Sequence, residues 1–313
     1  MQIIEIRHPY QPEKIPTEPV VLVLGFFDGV HKGHQRVIEQ GRKIADEKSL
    51  KLALMTFNQH PSIVFQKVPV DEMKYLTNLE QKTNLMAQFG VDYLYIVEFT
   101  SDFAGLAPQA FVDQYMVGLH AQVVVAGFDY TYGKRDIADM PRLTTYANER
   151  FEVVTVPKET LEGEKISSTR IRKELDAGNM EEVSKLLGYD YTFGGTVVHG
   201  DARGRTLGYP TANIQISRTT HLPTEGVYIT EIKIGDQWYP SMGSIGRNDT
   251  FEKNRPITVE VNILDFNQDV YGEKVEVRWL HHLRGQVAFS GVEGLIKQLK
   301  QDEVDTREYF DKR

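Results

Sequence analysis

The sequence predicts two domains: an α/β domain with a doubly wound parallel sheet, then a small antiparallel β-barrel carrying a C-terminal helix. Three observations predict it. Through the first half, short apolar runs alternate with helical patterns. Between Gly188 and Gly194, glycine and tyrosine punctuate the chain and the pattern changes. Beyond that stretch, two-residue alternation separated by glycine turns takes over. A chain of 313 residues also exceeds what one hydrophobic core usually organises. The boundary is placed there, giving domains 1–187 and 188–313.

In the first domain, strands are predicted at Val20 to Phe27, Lys51 to Phe57, Tyr93 to Glu98, Gln122 to Ala126 and Phe151 to Val156. Several are apolar at consecutive positions, as in parallel strands buried on both faces. Helices are predicted at Gly33 to Lys48, Leu79 to Phe89, Gln109 to Leu119 and Pro141 to Glu149. Thr77 with Glu80 fits a capping box, and Pro108 suits a first helical turn. A helical stretch from Ser168 to Leu187 leads to the boundary. In the second domain, Val227 to Ile234, Ile257 to Ile263 and Lys274 to Trp279 alternate as strands, with turns at Gly235 and Gly272. A helix from Val292 onward closes the barrel domain.

Composition narrows the function. Apolar residues at 41% and charged residues at 26% exclude a largely disordered chain. The longest apolar run, Val20 to Phe27, is far short of the roughly 20 residues that cross a bilayer, and the first residues lack the pattern of a secretion signal. With no cysteine, disulfides, thiolate metal sites and thiol nucleophiles are excluded, and the cytoplasm is the expected location. A formal charge of −8 argues against nucleic acid or an anionic membrane as partner. Small anionic substrates remain compatible, and no protein partner is inferred.

The first strand runs through Gly25-Phe26-Phe27-Asp28-Gly29-Val30-His31-Lys32-Gly33-His34 into a helix. Open α/β sheets bind ligands beyond the carboxyl ends of their strands, where glycines let backbone approach a phosphate at a helix N-terminus. His31 and His34 are spaced to face one phosphate chain and to stabilise charge on a transferring phosphorus and a leaving pyrophosphate. Ile166-Ser167-Ser168-Thr169-Arg170-Ile171-Arg172 offers a second anion cradle at a helix start. Asp129, in Gly127-Phe128-Asp129-Tyr130, sits at the carboxyl end of another strand. Taken singly, a His-x-Gly-His is usually a turn with surface histidines and Ser-Ser-Thr an ordinary N-cap. Together at such junctions they point to a nucleotide site.

These segments resemble the signatures of the nucleotidylyltransferase superfamily, with its Rossmann-like domain. The extended Gly-Phe-Phe-Asp-Gly-Val-His-Lys-Gly-His is similar to that of its FMN adenylyltransferase branch. The resemblance implies that His31 and His34 are catalytic and meet the ATP phosphates, that Ser167, Ser168, Thr169 and Arg172 grip them, and that Gly25, Phe26, Gly29, Gly33 and Asp129 lie by the nucleotide. Thr56-Phe57-Asn58-Gln59-His60-Pro61 resembles the branch's flavin loop, with Asn58 where an aspartate is usual.

The second domain carries Gly195-Thr196-Val197-Val198-His199-Gly200 and Gly204-Arg205-Thr206-Leu207-Gly208-Tyr209-Pro210-Thr211-Ala212-Asn213. By itself this is a glycine-rich turn entering a strand, or an oxygen pair, Thr211 and Asn213, for a magnesium ion bridging ATP phosphates. Glu260 falls on the polar face of its strand, where solvation is the default. From Tyr191 to Arg313 the chain resembles riboflavin kinase, with the Pro-Thr-Ala-Asn motif intact. The resemblance implies that Glu260 is the base for the riboflavin 5′-hydroxyl, that Gly200 and Gly208 lie by the nucleotide, and that Arg284 lies near flavin or nucleotide. Asn262, Ser244, Asp249 and Gln286 depart from that family's usual histidine, asparagine, proline and glutamate.

In this order and length the two halves resemble the bacterial bifunctional riboflavin kinase/FMN adenylyltransferase family, or FAD synthetases. That implies Mg²⁺ in both sites, with ATP, riboflavin and FMN as substrates. Two alternatives stay open: an FMN adenylyltransferase whose kinase half is weakened or lost, and a noncatalytic flavin or nucleotide sensor.

Overall fold

The computed structural model describes residues 1–66, 68–200, 203–247, 257–289 and 291–313. Asp249, one of the four departures, lies outside them. The described chain divides into two compact units, Met1–Ser168 and Thr169–Arg313.

The first unit runs β1 (Gln2–Ile6), β2 (Val20–Leu24), α1 (Lys32–Lys48), β3 (Lys51–Phe57), α2 (Ser62–Phe65), α3 (Leu79–Gln88), β4 (Tyr93–Val97), α4 (Ser101–Ala104), α5 (Pro108–Val112), β5 (Ala121–Gly127), α6 (Met140–Ala147), β6 (Glu152–Val156) and the hairpin β7 (Thr160–Leu161) with β8 (Glu164–Lys165). The main sheet has the order β1-β4-β3-β2-β5-β6 among the described residues, and every pairing in it is parallel. Leu22, Leu24 and Val124 pack on one face with α5 and α6, through Phe111, Val112, Met140 and Leu143. Val21, Val23 and Val125 pack on the other with Val37, Ile38 and Ile44 of α1 and Met86 of α3. Burial on both faces is why β2 reads as an unbroken apolar run.

The short α2 and α4, the β7–β8 hairpin and the following details differ from the sequence expectation. β1 pairs in parallel with β4 at the sheet edge, and its mixed composition hid it. The helix expected at 109–119 is the short α5, with Pro108 in its first turn, followed by one π-helical turn at Asp113–Val117. The capping box on α3 is Asn78 with Gln81, not Thr77 with Glu80. Thr77 is drawn away because its hydroxyl accepts the Gly29 N–H.

The second unit comprises α7 (Ser168–Ala177, entering from the end of the first), α8 (Met180–Leu187), β9 (Thr192–Val198), α9 (Arg203–Thr206), β10 (Ala212–Ile216), β11 (Gly226–Ile234), β12 (Gln237–Gly246), β13 (Thr258–Ile263), β14 (Lys274–Arg284) and α10 (Val292–Asp311). β10-β13-β12-β11-β14-β9 close into an antiparallel barrel, which leaves no sheet edge. Trp279, Tyr228, Ile245, Val261 and Val277 fill it, and the Phe193 and Trp279 rings stack with centroids 5.0 Å apart. The compact units divide at 168/169, whereas the sequence pattern changes at 187/188. The intervening helices go with the barrel because the Leu175 carbonyl accepts the Thr224 N–H at 3.0 Å and α8 packs on β14.

Candidate functional site

In the first unit, β2 ends in a loop that leads to the N-terminus of α1. Gly25 is needed there, since a Cβ would come within 2.7 Å of the Phe27 ring. Phe27 and Val30 hold positive φ angles of 57° and 35°, which bulky and β-branched residues rarely adopt. Gly29 also has positive φ, at 79°. The buried Asp28 clamps the loop, its carboxylate accepting the Leu76 N–H at 2.9 Å and the Thr77 N–H at 3.3 Å.

His31 is the N-cap of α1. It is buried, and its Nδ1 accepts the His34 N–H at 3.3 Å, so a neutral ring carries its proton on Nε2. The two imidazoles stack with centroids 3.6 Å apart and planes 15° from parallel. Gly33 lies between them in the first turn of α1. Burial holds the His34 imidazole well below the usual histidine range, with His31, Lys82 and Lys165 adding to the effect. His34 Nδ1 is buried and has no hydrogen-bond partner among the described residues. A helix N-terminus beside two stacked imidazoles is an arrangement suited to an anion.

Ser168 donates its hydroxyl to the Asp28 carbonyl at 3.0 Å, tying the Ser-Ser-Thr turn to the histidine loop. Ser167 is half-buried beside it. Thr169, exposed, and Arg172, half-buried, follow on α7 in the second unit. Asp129 is exposed beyond the carboxyl end of β5 and pairs with Lys165, whose ammonium also lies 4.9 Å from the Phe128 ring centroid. Asn58 follows β3, exposed, and accepts the Phe99 N–H through its side chain at 2.9 Å. The Phe26 ring meets His60 edge-on at 4.9 Å. Sequence reasoning missed Lys165 and Lys82. The second gave no signal, because a lysine on a helix reads as solvated.

In the second unit, Thr211, Asn213 and Glu260 come together. Asn213 lies directly across from Glu260 in the β10–β13 ladder, and the Thr211 hydroxyl donates to a Glu260 oxygen at 3.2 Å. At Gly200 a Cβ would come within 2.2 Å of the Asn213 carboxamide and displace it. Gly208 holds φ at 82° in the loop that leads to Thr211. A cleft of about 270 Å³ opens beside Thr211, lined also by Arg205, Pro210, Phe266 and Tyr271. On its rim the His199 and Tyr271 rings stack at 3.9 Å. The Thr211 hydroxyl just before β10, the Asn213 carboxamide in β10 and the Glu260 carboxylate in β13 offer hard oxygen donors suited to Mg²⁺, which keeps several waters and needs few protein ligands.

Arg284 is already engaged: its guanidinium bonds the buried Asp302 of α10 at 2.7 and 3.0 Å. Among the departures, Asn262 is buried and donates to the Pro210 carbonyl at 2.7 Å. Gln286 donates to the Ser244 hydroxyl at 3.1 Å and to the Ile245 carbonyl at 2.9 Å. Two departures therefore bond each other, and the third holds the loop before Thr211.

Comparison with known proteins follows this division. A family model described as FAD synthetase matches residues 13–170, and one described as riboflavin kinase matches 187–310. A bifunctional riboflavin kinase/FMN adenylyltransferase of Listeria monocytogenes is 48% identical, over 100% of this chain and 99% of its own. The protein of that name from Bacillus subtilis is 41% identical, over 99% and 98%. A crystal structure from Streptococcus pneumoniae titled as a macrolide-efflux protein superposes with a TM-score of 0.89 at 41% identity, over 97% of this chain and 98% of that one. No helix among the described residues is long and apolar enough to cross a membrane. With two such relatives matched from end to end, and both family models falling on the two sites, the chain belongs to the bifunctional riboflavin kinase/FMN adenylyltransferase family.

Proposed function

We infer that the chain phosphorylates riboflavin to FMN in its barrel unit and adenylylates FMN to FAD in its α/β unit, ATP being the donor in both steps. The observation that carries this reading is the presence in one chain of a stacked imidazole pair at a helix N-terminus and a Thr-Asn-Glu oxygen cluster beside a cleft.

In the kinase step, Glu260 takes the proton of the riboflavin 5′-hydroxyl. That oxygen bonds to the γ-phosphorus, the bond from the γ-phosphorus to the bridging oxygen breaks, and ADP leaves. Thr211 and Asn213 would hold Mg²⁺, which neutralises phosphate charge when bound. Gly200 and Gly208 keep side chains away from the nucleotide. The contact between Thr211 and Glu260 supports these roles. Asn262, Ser244 and Gln286 leave the cluster intact and satisfy one another's polar atoms or those of the neighbouring backbone, which disfavours a lost kinase half.

In the adenylyl step, an FMN phosphate oxygen attacks the α-phosphorus of ATP and pyrophosphate leaves, with no covalent enzyme intermediate. His31 and His34 donate N–H bonds to the phosphates as charge moves onto the leaving group. Ser167, Ser168, Thr169 and Arg172 grip the phosphates, with Gly25, Phe26, Gly29, Gly33 and Asp129 beside the nucleotide and Asn58 toward the flavin. The unpartnered Nδ1 of His34 supports an anion as its missing partner. Mg²⁺ is assigned to this step as well. Arg284 is kept as a flavin-side residue, acting only if it leaves Asp302. The proposed setting is the cytoplasm.

The test is to incubate the chain with riboflavin, ATP and Mg²⁺ and separate the flavins by chromatography. FMN that converts onward to FAD is expected. FAD formed only from added FMN would leave the adenylyltransferase alone, and ATP turnover without flavin would defeat the sensor reading and the flavin reading together.

A further inference from the structure

Lys82 is a lysine in α3 with only 4% of its surface exposed. Its ammonium donates to the Phe26 carbonyl at 3.1 Å, the Thr56 hydroxyl at 3.0 Å and the Phe57 carbonyl at 3.2 Å. All three protons of the ammonium are thereby used. The Thr56 hydroxyl in turn donates to the same Phe26 carbonyl at 2.9 Å. The ammonium also sits 4.6 Å from the Phe26 ring centroid, a cation–π contact. Burial pushes the group down to about 8, and the carboxylate of Asp28 opposes the shift.

A charge so deeply buried is costly unless it is fully bonded, and the bonds it makes here fall on the loop just after β2 and on the carboxyl end of β3. The loop that follows Phe26 holds two non-glycine residues at positive φ, Phe27 and Val30, before it reaches His31. Backbone of that kind persists only where its surroundings over-determine it. Asp28 and Thr77 hold the far side of the loop, and the paired donors of Lys82 and Thr56 hold the near side.

We propose that Lys82, acting with Thr56 on the Phe26 carbonyl, is the positioning residue that fixes the strained loop and thereby sets the stacked geometry of His31 and His34 for adenylyl transfer. The inference rests on the adenylyl-transfer reading of that pair. Lys82 is too deeply buried to be assigned a direct contact with substrate. Its effect passes through one carbonyl, and displacement of the imidazoles costs the transition state more than it costs ATP binding.

The experiment compares Lys82→Met, Thr56→Val and Thr56→Ser in the full chain, measuring FAD formation from FMN and, separately, FMN formation from riboflavin. In Lys82→Met, kcat for FAD formation is expected to fall by about 10- to 100-fold, with KM for ATP within about threefold and riboflavin phosphorylation within about twofold. Thr56→Val should show a smaller loss of the same kind, which Thr56→Ser restores. The proposal is overturned by a folded Lys82→Met chain with unchanged kcat, by a rise in KM alone, or by Thr56→Ser failing to rescue. If Lys82→Met does not fold, the two Thr56 variants decide. Parent chain that makes no FAD from FMN would instead refute the adenylyl-transfer reading, independently of any variant.

Discussion

The two candidate sites are built in opposite ways. In the α/β unit the candidate residues sit on a loop with strained, buried backbone, which is held by its own Asp28 and, from the surrounding fold, by Lys82, Thr56 and Thr77. In the barrel the candidate pair Asn213 and Glu260 sits on two paired strands, where the ladder itself sets one against the other. The contrast teaches that a site on regular structure is positioned by its own backbone hydrogen bonds, whereas a site on a strained loop draws its geometry from residues well away from the motif.

That contrast is broken most sharply at Glu260. Glu260→Gln should lower riboflavin phosphorylation by roughly a hundred- to ten-thousand-fold, the range for losing a general base, while FAD formation from added FMN continues. Initial rates with each flavin supplied separately check it. His34→Ala is the mirror case, with a loss of roughly a hundred- to a thousand-fold in FAD formation and FMN still accumulating from riboflavin. If either variant impaired both steps equally, the two sites would not be independent.

A smaller effect is expected at Gly200. Gly200→Ala pushes the Asn213 carboxamide out of place and should cost the kinase step about tenfold, with adenylylation unaffected. The magnesium dependence of FMN formation should also move to higher concentration, which titration with Mg²⁺ would reveal.

The pH dependence of stability separates the units further. Burial depresses the folded-state value of His34, so as pH falls below the usual histidine range the unfolded chain takes up a proton that the folded chain refuses. The contribution of His34 to stability is therefore present above that range and lost on acidification. Burial lowers His282 of the barrel as well, so thermal melts across that range should show both units weakening, the α/β unit more steeply, and His34→Ala should flatten the slope of the α/β unit alone. The smallest expected effect is at Gln286. Its replacement by Ala removes bonds to Ser244 and Ile245 and should cost about 1 kcal/mol, read from denaturant melts of the barrel.

Much of this architecture was legible because burial on both faces leaves a plain mark. β2 and β5 read as continuous apolar runs, and α1 as a periodic one. β1 was hidden because Gln2–Ile6 interleaves polar residues at an edge, where one side needs no apolar cover. The capping residue of α3 was misplaced by one because the sequence offers both Thr77 and Asn78, and only the Gly29 contact shows that Thr77 serves elsewhere. Of the candidate site, His31, His34, Thr211 and Asn213 were legible by chemistry and spacing, whereas Glu260, which periodicity alone places on a solvated face, was singled out only by the resemblance to riboflavin kinase.

By itself, then, the sequence determined the two domain classes, the elements that carry a clear periodicity and the residue types available for phosphate chemistry. Periodicity and short-range spacing are local properties, and a linear chain records them. Tertiary structure decided that α7 and α8 go with the barrel, that Ser244 meets Gln286, that Arg284 is bound to Asp302, and that Lys82 lies beneath the histidine loop. Each of these joins residues distant in the chain, and no local pattern distinguishes a lysine buried under another strand's carbonyl from one in water.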